Sequence, residues 1–342
     1  MRALVIEAPR QAISREVPTP IPGPGEVLIR VAAAGLCGTD MHIYRGEYMA
    51  RYPIIPGHEF SGTIVACGPG IGDLRVGERV TADPNVFCHQ CTYCRRQMHN
   101  QCLNLRAIGV NTDGAFAEYV IAPREVVYPI GDLPFEQAAF IEPLSCVVYA
   151  MQRARPAPAD NVLLFGAGPM GCLLTQMLAH NGARQVVVVD RVAARLALAG
   201  ELGARHTILA EDDAPANALD PRLLQLAPHG YDFVIDATGI PAVVEAAFAY
   251  LGPRGTMFFF GVCPNDAQIR LNPYQVFRND WRIIGSFALC YTFQEALGLL
   301  SSGVVQVEPL ISHRLTLDRA AEAFTTIQQD PQRMKVVVQP AP

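Results

Sequence analysis

The sequence predicts an α/β protein in two parts: a β-rich lobe built as a partly closed antiparallel barrel, and a doubly wound parallel-sheet domain inserted into it. Three observations predict this. The first third carries short apolar or alternating runs cut by Gly and Pro. From about Asn161 strands and helices alternate, the rhythm of a parallel sheet with helices on both faces. After about Gly285 the character is mixed again, so the tail is expected to complete the first lobe. The expected division is 1–148 with 286–342 for the β-rich lobe and 149–285 for the parallel-sheet domain.

Within the first lobe the candidate strands are EVLIRVAAAG, FSGTIVACG, GERVTA and AEYVIA. In the second, NVLLFGAG reads as a strand, Pro169 to Asn181 as a helix and QVVVVD as a strand, followed by a helix ending near Gly203. DFVIDATG and GTMFFFG are further strands, with a helix from Pro241 to Tyr250 between them. FQEALGLLSSG is helical, ISHRLTL leads into another helix, and KVVVQP is a short final strand.

Composition narrows the function. At 342 residues, 50% of them hydrophobic, the chain can bury two large cores, which excludes disorder. A net charge of −5 argues for small-molecule partners and against nucleic acid. The longest apolar stretches, such as Val186 to Val189 and Met257 to Phe260, are strand-sized, so no membrane span is expected. The opening MRALVIEAPR has no signal-like apolar core, and a cytoplasmic protein is the expectation. Lys335 is the only lysine, which leaves Schiff-base, pyridoxal phosphate and P-loop chemistry without a candidate. That arginine bias reads as codon usage in a GC-rich genome.

Cys88, Cys91, Cys94 and Cys102 form C-x2-C-x2-C-x7-C. Short regular gaps let four thiolates converge on one ion, and four sulfurs suit a closed tetrahedral zinc site that does no chemistry. A ferredoxin-type cluster would have a shorter last gap followed by Pro, where this chain has Leu103. A zinc ribbon for nucleic acid lacks its basic surroundings, since only Arg95 and Arg96 lie inside the motif.

Gly166, Gly168 and Gly171 form G-x-G-x-x-G after a strand and at the start of a helix. Gly166 permits the tight turn, Gly168 lets a pyrophosphate approach the backbone at the positive helix end, and Gly171 allows close helix–strand packing. Asp190 closes the next strand, where the adenosine ribose hydroxyls need an acceptor. Its charge would repel a 2′-phosphate, so NAD is expected over NADP, although Arg191 and Arg195 stand nearby as phosphate partners.

Cys37, His58, Glu59 and Glu142 supply a mixed sulfur, nitrogen and oxygen set. Three such ligands with one open position describe a catalytic zinc. Taken singly, Cys37 reads equally as a small buried hydrophobe, His58 as a satisfied core histidine and Glu142 as a carboxylate at a helix start.

GLCGTDMHIYRGE, PGHEFSG, the cysteine quartet, EPLSC, GAGPMG and Asp190 occur in an order and spacing that resembles the zinc-dependent medium-chain dehydrogenases, the sorbitol (polyol) dehydrogenase branch above all, over essentially the whole length. The resemblance implies a GroES-like catalytic domain plus a Rossmann domain, in a dimer or tetramer. It implies Cys37, His58 and Glu59 as catalytic zinc ligands, with Glu142 binding directly or through water and alternation between the two glutamates left open. Cys146 is a nearby distractor that the EPLS register sets aside. Gly166, Gly168, Pro169, Met170 and Gly171 would form the pyrophosphate turn, and Asp190 and Arg195 would contact the ribose. Zinc would act as a Lewis acid on the substrate hydroxyl and hydride would pass to NAD. Thr39 would take the hydroxyl proton and pass it on towards His42.

The pattern breaks at the substrate. Sorbitol dehydrogenases carry an Arg-Tyr pair where this chain has Ala288 and Leu289, which predicts a less polar pocket. Tyr44 and Phe116 are expected as pocket walls. The expected reaction is oxidation of a secondary hydroxyl of a polyol to a ketose. The alternatives are another secondary alcohol, such as threonine or 2,3-butanediol, or a catalytically silent dinucleotide-binding protein.

Overall fold

A computed structural model of the chain describes residues 1–47, 51–210 and 220–340. The chain divides into two units, Met1–Ser145 with Leu289–Pro342, and Cys146–Ala288.

The first unit is built on a seven-stranded sheet. Its order is Ile311–Thr316, Lys335–Gln339, Glu26–Gly35, Glu59–Cys67, Arg79–Ala82 and Val127–Pro129, with Tyr119–Pro123 also paired to Glu26–Gly35. In the central strand Val27, Ile29, Val31, Ala33 and Ala34 are all buried. A strand covered on both faces reads as a nearly continuous apolar run, which is why EVLIRVAAAG does not alternate strictly. Val337 lies antiparallel to Gly35, so the end of the chain is paired into the N-terminal sheet. Ile311–Thr316 pairs parallel with Lys335–Gln339, the exception in an otherwise antiparallel set of pairs.

The segment expected as a helix after ISHRLTL is a 3-10 helix, Leu317–Phe324. Leu317, Ala320, Ala323 and Phe324 are buried, a three- to four-residue spacing that turns one face of the helix to the core. The hairpin Arg2–Ala8 with Gln11–Glu16 was not anticipated; Ala3, Leu4, Val5 and Ile6 of its first strand enter the core.

The second unit holds a six-stranded parallel sheet in the order His206–Leu209, Gln185–Asp190, Asn161–Phe165, Tyr231–Asp236, Leu251–Phe259 and Arg282–Gly285. The chain leaves Asn161–Phe165 first towards one side and then towards the other. This is the switch point at whose carboxyl end ligands bind in such sheets. The central strands are continuous apolar runs, as burial on both faces requires. Among the described residues no helix is long and apolar enough to cross a membrane.

Candidate metal centres and dinucleotide site

The cysteine quartet converges. The four sulfurs of Cys88, Cys91, Cys94 and Cys102 lie within 4.8 Å of one another, and all four cysteines are free of disulfides. Sulfurs at about 2.3 Å from a tetrahedral zinc stand about 3.8 Å apart, and Cys88 Sγ is 4.0 Å from Cys94 Sγ. The chain folds so that backbone N–H groups aim at sulfur. Cys91 N donates to Cys88 Sγ, Cys94 N to Cys91 Sγ and Cys88 N to Cys102 Sγ, all at 3.4–3.5 Å. Donors from Gln90 and Cys91, with the Asn104 amide, bring the Cys88 pKa down to about 5, which favours the thiolate a metal needs. The donor set therefore fits zinc.

A second set meets at one end of the central barrel strands. One ligand atom each from Cys37, His58 and Glu59 lies within 4.8 Å of the others, with His58 and Glu59 buried. Cys37 is the N-cap of the helix Gly38–Arg45. Asp40, at N3 of that helix and wholly buried, ties the two loops together. Its carboxylate accepts from Cys37 N at 2.8 Å and from Gly57 N at 3.2 Å. It also lies 3.4 Å from His58 Nδ1, a placement that leaves Nε2 as the free electron-pair donor. Burial alone would lower the His58 pKa, but the neighbouring charges of Asp40 and Cys37 hold it well above its ordinary value. A largely buried sulfur, nitrogen and oxygen set of this kind fits a zinc with an open position.

Glu59 begins its strand directly opposite Gly35. Both of its carboxylate oxygens accept from Lys335 Nζ at 2.7 Å, and the same ammonium donates to the Leu36 carbonyl at 3.3 Å. Burial works to lower the Lys335 pKa, but the charges of Glu59 and Cys37 outweigh it and the net direction is up. Sequence reasoning missed Asp40 and Lys335. Asp40 had a signal in its N3 position after a helix-capping Cys37, and Lys335 in being the sole lysine. Glu142 stands outside the three that meet, in the first turn of the helix Ile141–Ala154. Burial pushes its carboxyl up to about 7, with His58 pulling down and Glu59 pushing up.

In the second unit, the strand Asn161–Phe165 runs into the turn at Gly166, whose φ of 104° suits glycine alone. A Cβ at Gly171 would lie 1.9 Å from the Gly166 carbonyl oxygen, so only glycine permits this approach. Gly168 is the N-cap of the helix Pro169–His180, and a Cβ there would meet nothing within 4 Å. That open face at a helix start is the kind of cradle a pyrophosphate takes. Asp190 ends its strand with one carboxylate oxygen accepting from Ala167 N at 2.7 Å and the other from Val192 N at 2.9 Å. The acidic residue thus also pins the glycine turn. Arg195 lies in the helix Ala193–Glu201 that follows.

Comparison with known proteins agrees with this chemistry. Residues 23–132 match the alcohol dehydrogenase GroES-like domain family, and residues 169–302 match the zinc-binding dehydrogenase family. D-arabinitol dehydrogenase 1 of Uromyces fabae is 36% identical over 340 residues, covering 99% of this chain and 97% of that one. D-altritol 5-dehydrogenase of Agrobacterium fabrum is 36% identical over 341 residues, covering 98% of each. The chain belongs to the zinc-dependent medium-chain dehydrogenases, polyol branch. The crystal structure of a zinc-binding dehydrogenase homologue from Sinorhizobium meliloti 1021, bound to NADP, superposes with a TM-score of 0.93 at 33% identity, covering 99% of both chains.

In this medium-chain dehydrogenase the helix Gly38–Arg45 also carries Thr39 and His42. Thr39 Oγ1 is 3.8 Å from Cys37 Sγ, and His42 Nδ1 is 2.8 Å from the exposed Glu47 carboxylate. Both are partly buried and stand one turn apart on that helix. Of the expected pocket walls, Tyr44 is partly buried and Phe116 has no exposed surface. Phe116 is wholly buried, its ring against the Gly57 position and 6.3 Å from that of Phe324. Tyr44 packs 5.1 Å from the same Phe324 ring, and its hydroxyl is spent on the Arg10 carbonyl. Both aromatics belong to the barrel packing because Phe324, from the far end of the chain, fills the space between them. Leu289 is also wholly buried and offers no surface to a ligand, whereas Ala288 holds a left-handed φ of 53°.

Proposed function

We propose that this dehydrogenase oxidises a secondary hydroxyl of a polyol to the ketone with NAD as acceptor. The convergence of Cys37, His58 and Glu59 within 4.8 Å, with Glu142 rather than a second cysteine as the further candidate, carries the reading. Bound by these three, zinc would supply a Lewis acid and the nicotinamide a hydride acceptor. Cys88, Cys91, Cys94 and Cys102 would hold a second, structural zinc that closes their loop.

The chain's own residues then handle the proton. Thr39, whose hydroxyl lies 3.8 Å from the sulfur ligand, takes the hydroxyl proton. His42, with one ring nitrogen on Glu47, delivers it to solvent. Asp40 holds the Cys37 and His58 loops in register. Gly166, Gly168, Pro169, Met170 and Gly171 take the pyrophosphate and Asp190 takes the ribose hydroxyls, with Arg195 beside it. Asp190 favours NAD, because its carboxylate would face a 2′-phosphate with like charge.

A homo-oligomer, dimer or tetramer, in the cytoplasm completes the reading. The outer strand Arg282–Gly285 leaves an open sheet edge with Ile283 and Phe287 exposed, a surface that favours assembly.

The test is nicotinamide reduction by zinc-loaded protein against four- to six-carbon polyols, threonine and 2,3-butanediol, each with NAD and NADP. One polyol preferred with NAD supports the reading. Threonine or butanediol turning over while polyols stay inert replaces the substrate class. Activity that survives complete metal removal refutes the zinc assignment.

A further inference from the structure

Lys335 is the sole lysine among 27 lysines and arginines, and it is also one of the few charged groups that are nearly fully buried. Its three ammonium donors meet three acceptors: both oxygens of Glu59 at 2.7 Å and the Leu36 carbonyl at 3.3 Å. The fold is arranged to make this pair. Val337, two residues on, pairs with Gly35, and Gly35 pairs with Glu59, so three strands bring residues 59 and 335 side by side. Gly35 leaves the space in which the carboxylate lies, since a Cβ there would come within 2.1 Å of Glu59 Oε2. Leu36 N also donates to the Val336 carbonyl, which fixes the backbone beside the ammonium. A compact ammonium on a flexible stem fits this gap; a planar guanidinium has a different shape and donor geometry.

We infer that Lys335 is a positioning residue that acts as a resident counter-charge at the Cys37, His58, Glu59 centre, holding Glu59 in the metal-free protein and competing with the incoming cation for it. The inference rests on the metal-site reading above. A buried carboxylate without a partner is costly, so the ammonium keeps the empty site folded. The same charge repels a dication in a low-dielectric surrounding and withdraws electron density from the carboxylate that must ligate it. The consequence is a catalytic metal held less tightly than the three ligands alone would hold it.

The experiment measures zinc affinity by competition with a chromophoric chelator. The variants are wild type, Lys335→Met, Lys335→Gln and Lys335→Arg. Cys37→Ala identifies which of the two ions is being read. The neutral variants are expected to bind the Cys37-site ion at least ~10-fold more tightly than wild type, and Lys335→Arg within about 3-fold of it. Without metal the neutral variants are expected to melt at least ~5 °C below wild type, with most of that loss recovered on zinc loading. Neutral variants that bind zinc equally or more weakly overturn the inference. Neutral variants that fold only when zinc is supplied support it, and neutral variants that zinc cannot rescue overturn it. A wild-type protein that takes up only the quartet ion refutes the metal-site reading itself, a result distinct from unchanged affinity in the variants.

Discussion

Gly35 and Glu59 face each other across the barrel sheet, and the absence of a side chain on the first makes room for the carboxylate of the second. Gly35→Ala places a methyl 2.1 Å from Glu59 Oε2, and the carboxylate must swing away. It is tied at both oxygens to Lys335, so the swing breaks a buried ion pair. We expect a loss of about 1–3 kcal/mol in stability and loss of the zinc bound near Cys37. Metal analysis checks this, because the quartet's ion should remain. Full zinc content with unchanged activity would show that Glu59 has another place to go.

Much of this centre was legible because its signals are local. The quartet and the glycine turn are set by spacings within one loop, and loop geometry follows from such spacings directly. Cys37 and His58 needed the family pattern, since each alone is an ordinary core residue. The Glu59–Lys335 pair was not legible. Its partners stand 276 positions apart and meet through the register of three strands, which no local pattern encodes. The outer strands His206–Leu209 and Arg282–Gly285 were missed for a different reason: both are short and partly exposed, so neither shows a strong apolar signal. The packing around Tyr44 and Phe116 was not legible either, because Phe324, which meets both rings, comes from the C-terminal segment.

In the proposed reaction the proton path turns on Thr39. Thr39→Val keeps the shape and the helix but removes the hydroxyl near Cys37 Sγ. Turnover should fall by ~10²–10⁴-fold, with zinc content and cofactor affinity intact. Steady-state kinetics beside metal analysis separates the two. Full turnover in this variant would sink the relay and leave His42 as a surface histidine paired with Glu47.

On the proposed reading Asp190 does two things at once, and its substitution distinguishes them. Asp190→Ala removes the acceptor for Ala167 N, which loosens the glycine turn for either cofactor. It also removes the charge that opposes a 2′-phosphate. The expected result is a fall in kcat/KM of ~10–100-fold with NAD and a much smaller fall, or a rise, with NADP. An equal fall with both would assign Asp190 to the turn alone and leave cofactor choice to other residues.

Asp83 sets a pH dependence that is independent of its role in any reaction. It is almost fully buried, and burial pushes its carboxyl up to about 6, although the Asn85 backbone and amide donors pull the other way. A pKa raised by folding means that the folded state binds the proton more tightly than the unfolded chain. Its contribution is favourable below about pH 4, where both states are protonated on the model-compound scale, and it is lost as pH rises through about 6. Above that the wild type buries a charge at a cost of up to about 3 kcal/mol. Asp83→Asn keeps an oxygen for the Asn85 donors and carries no charge. Its stability relative to wild type should therefore rise between about pH 4 and pH 6 and level off above about pH 7. Urea unfolding of both proteins at several pH values measures the gap directly. A gap that stays constant across that range would mean that Asp83 is ionised throughout.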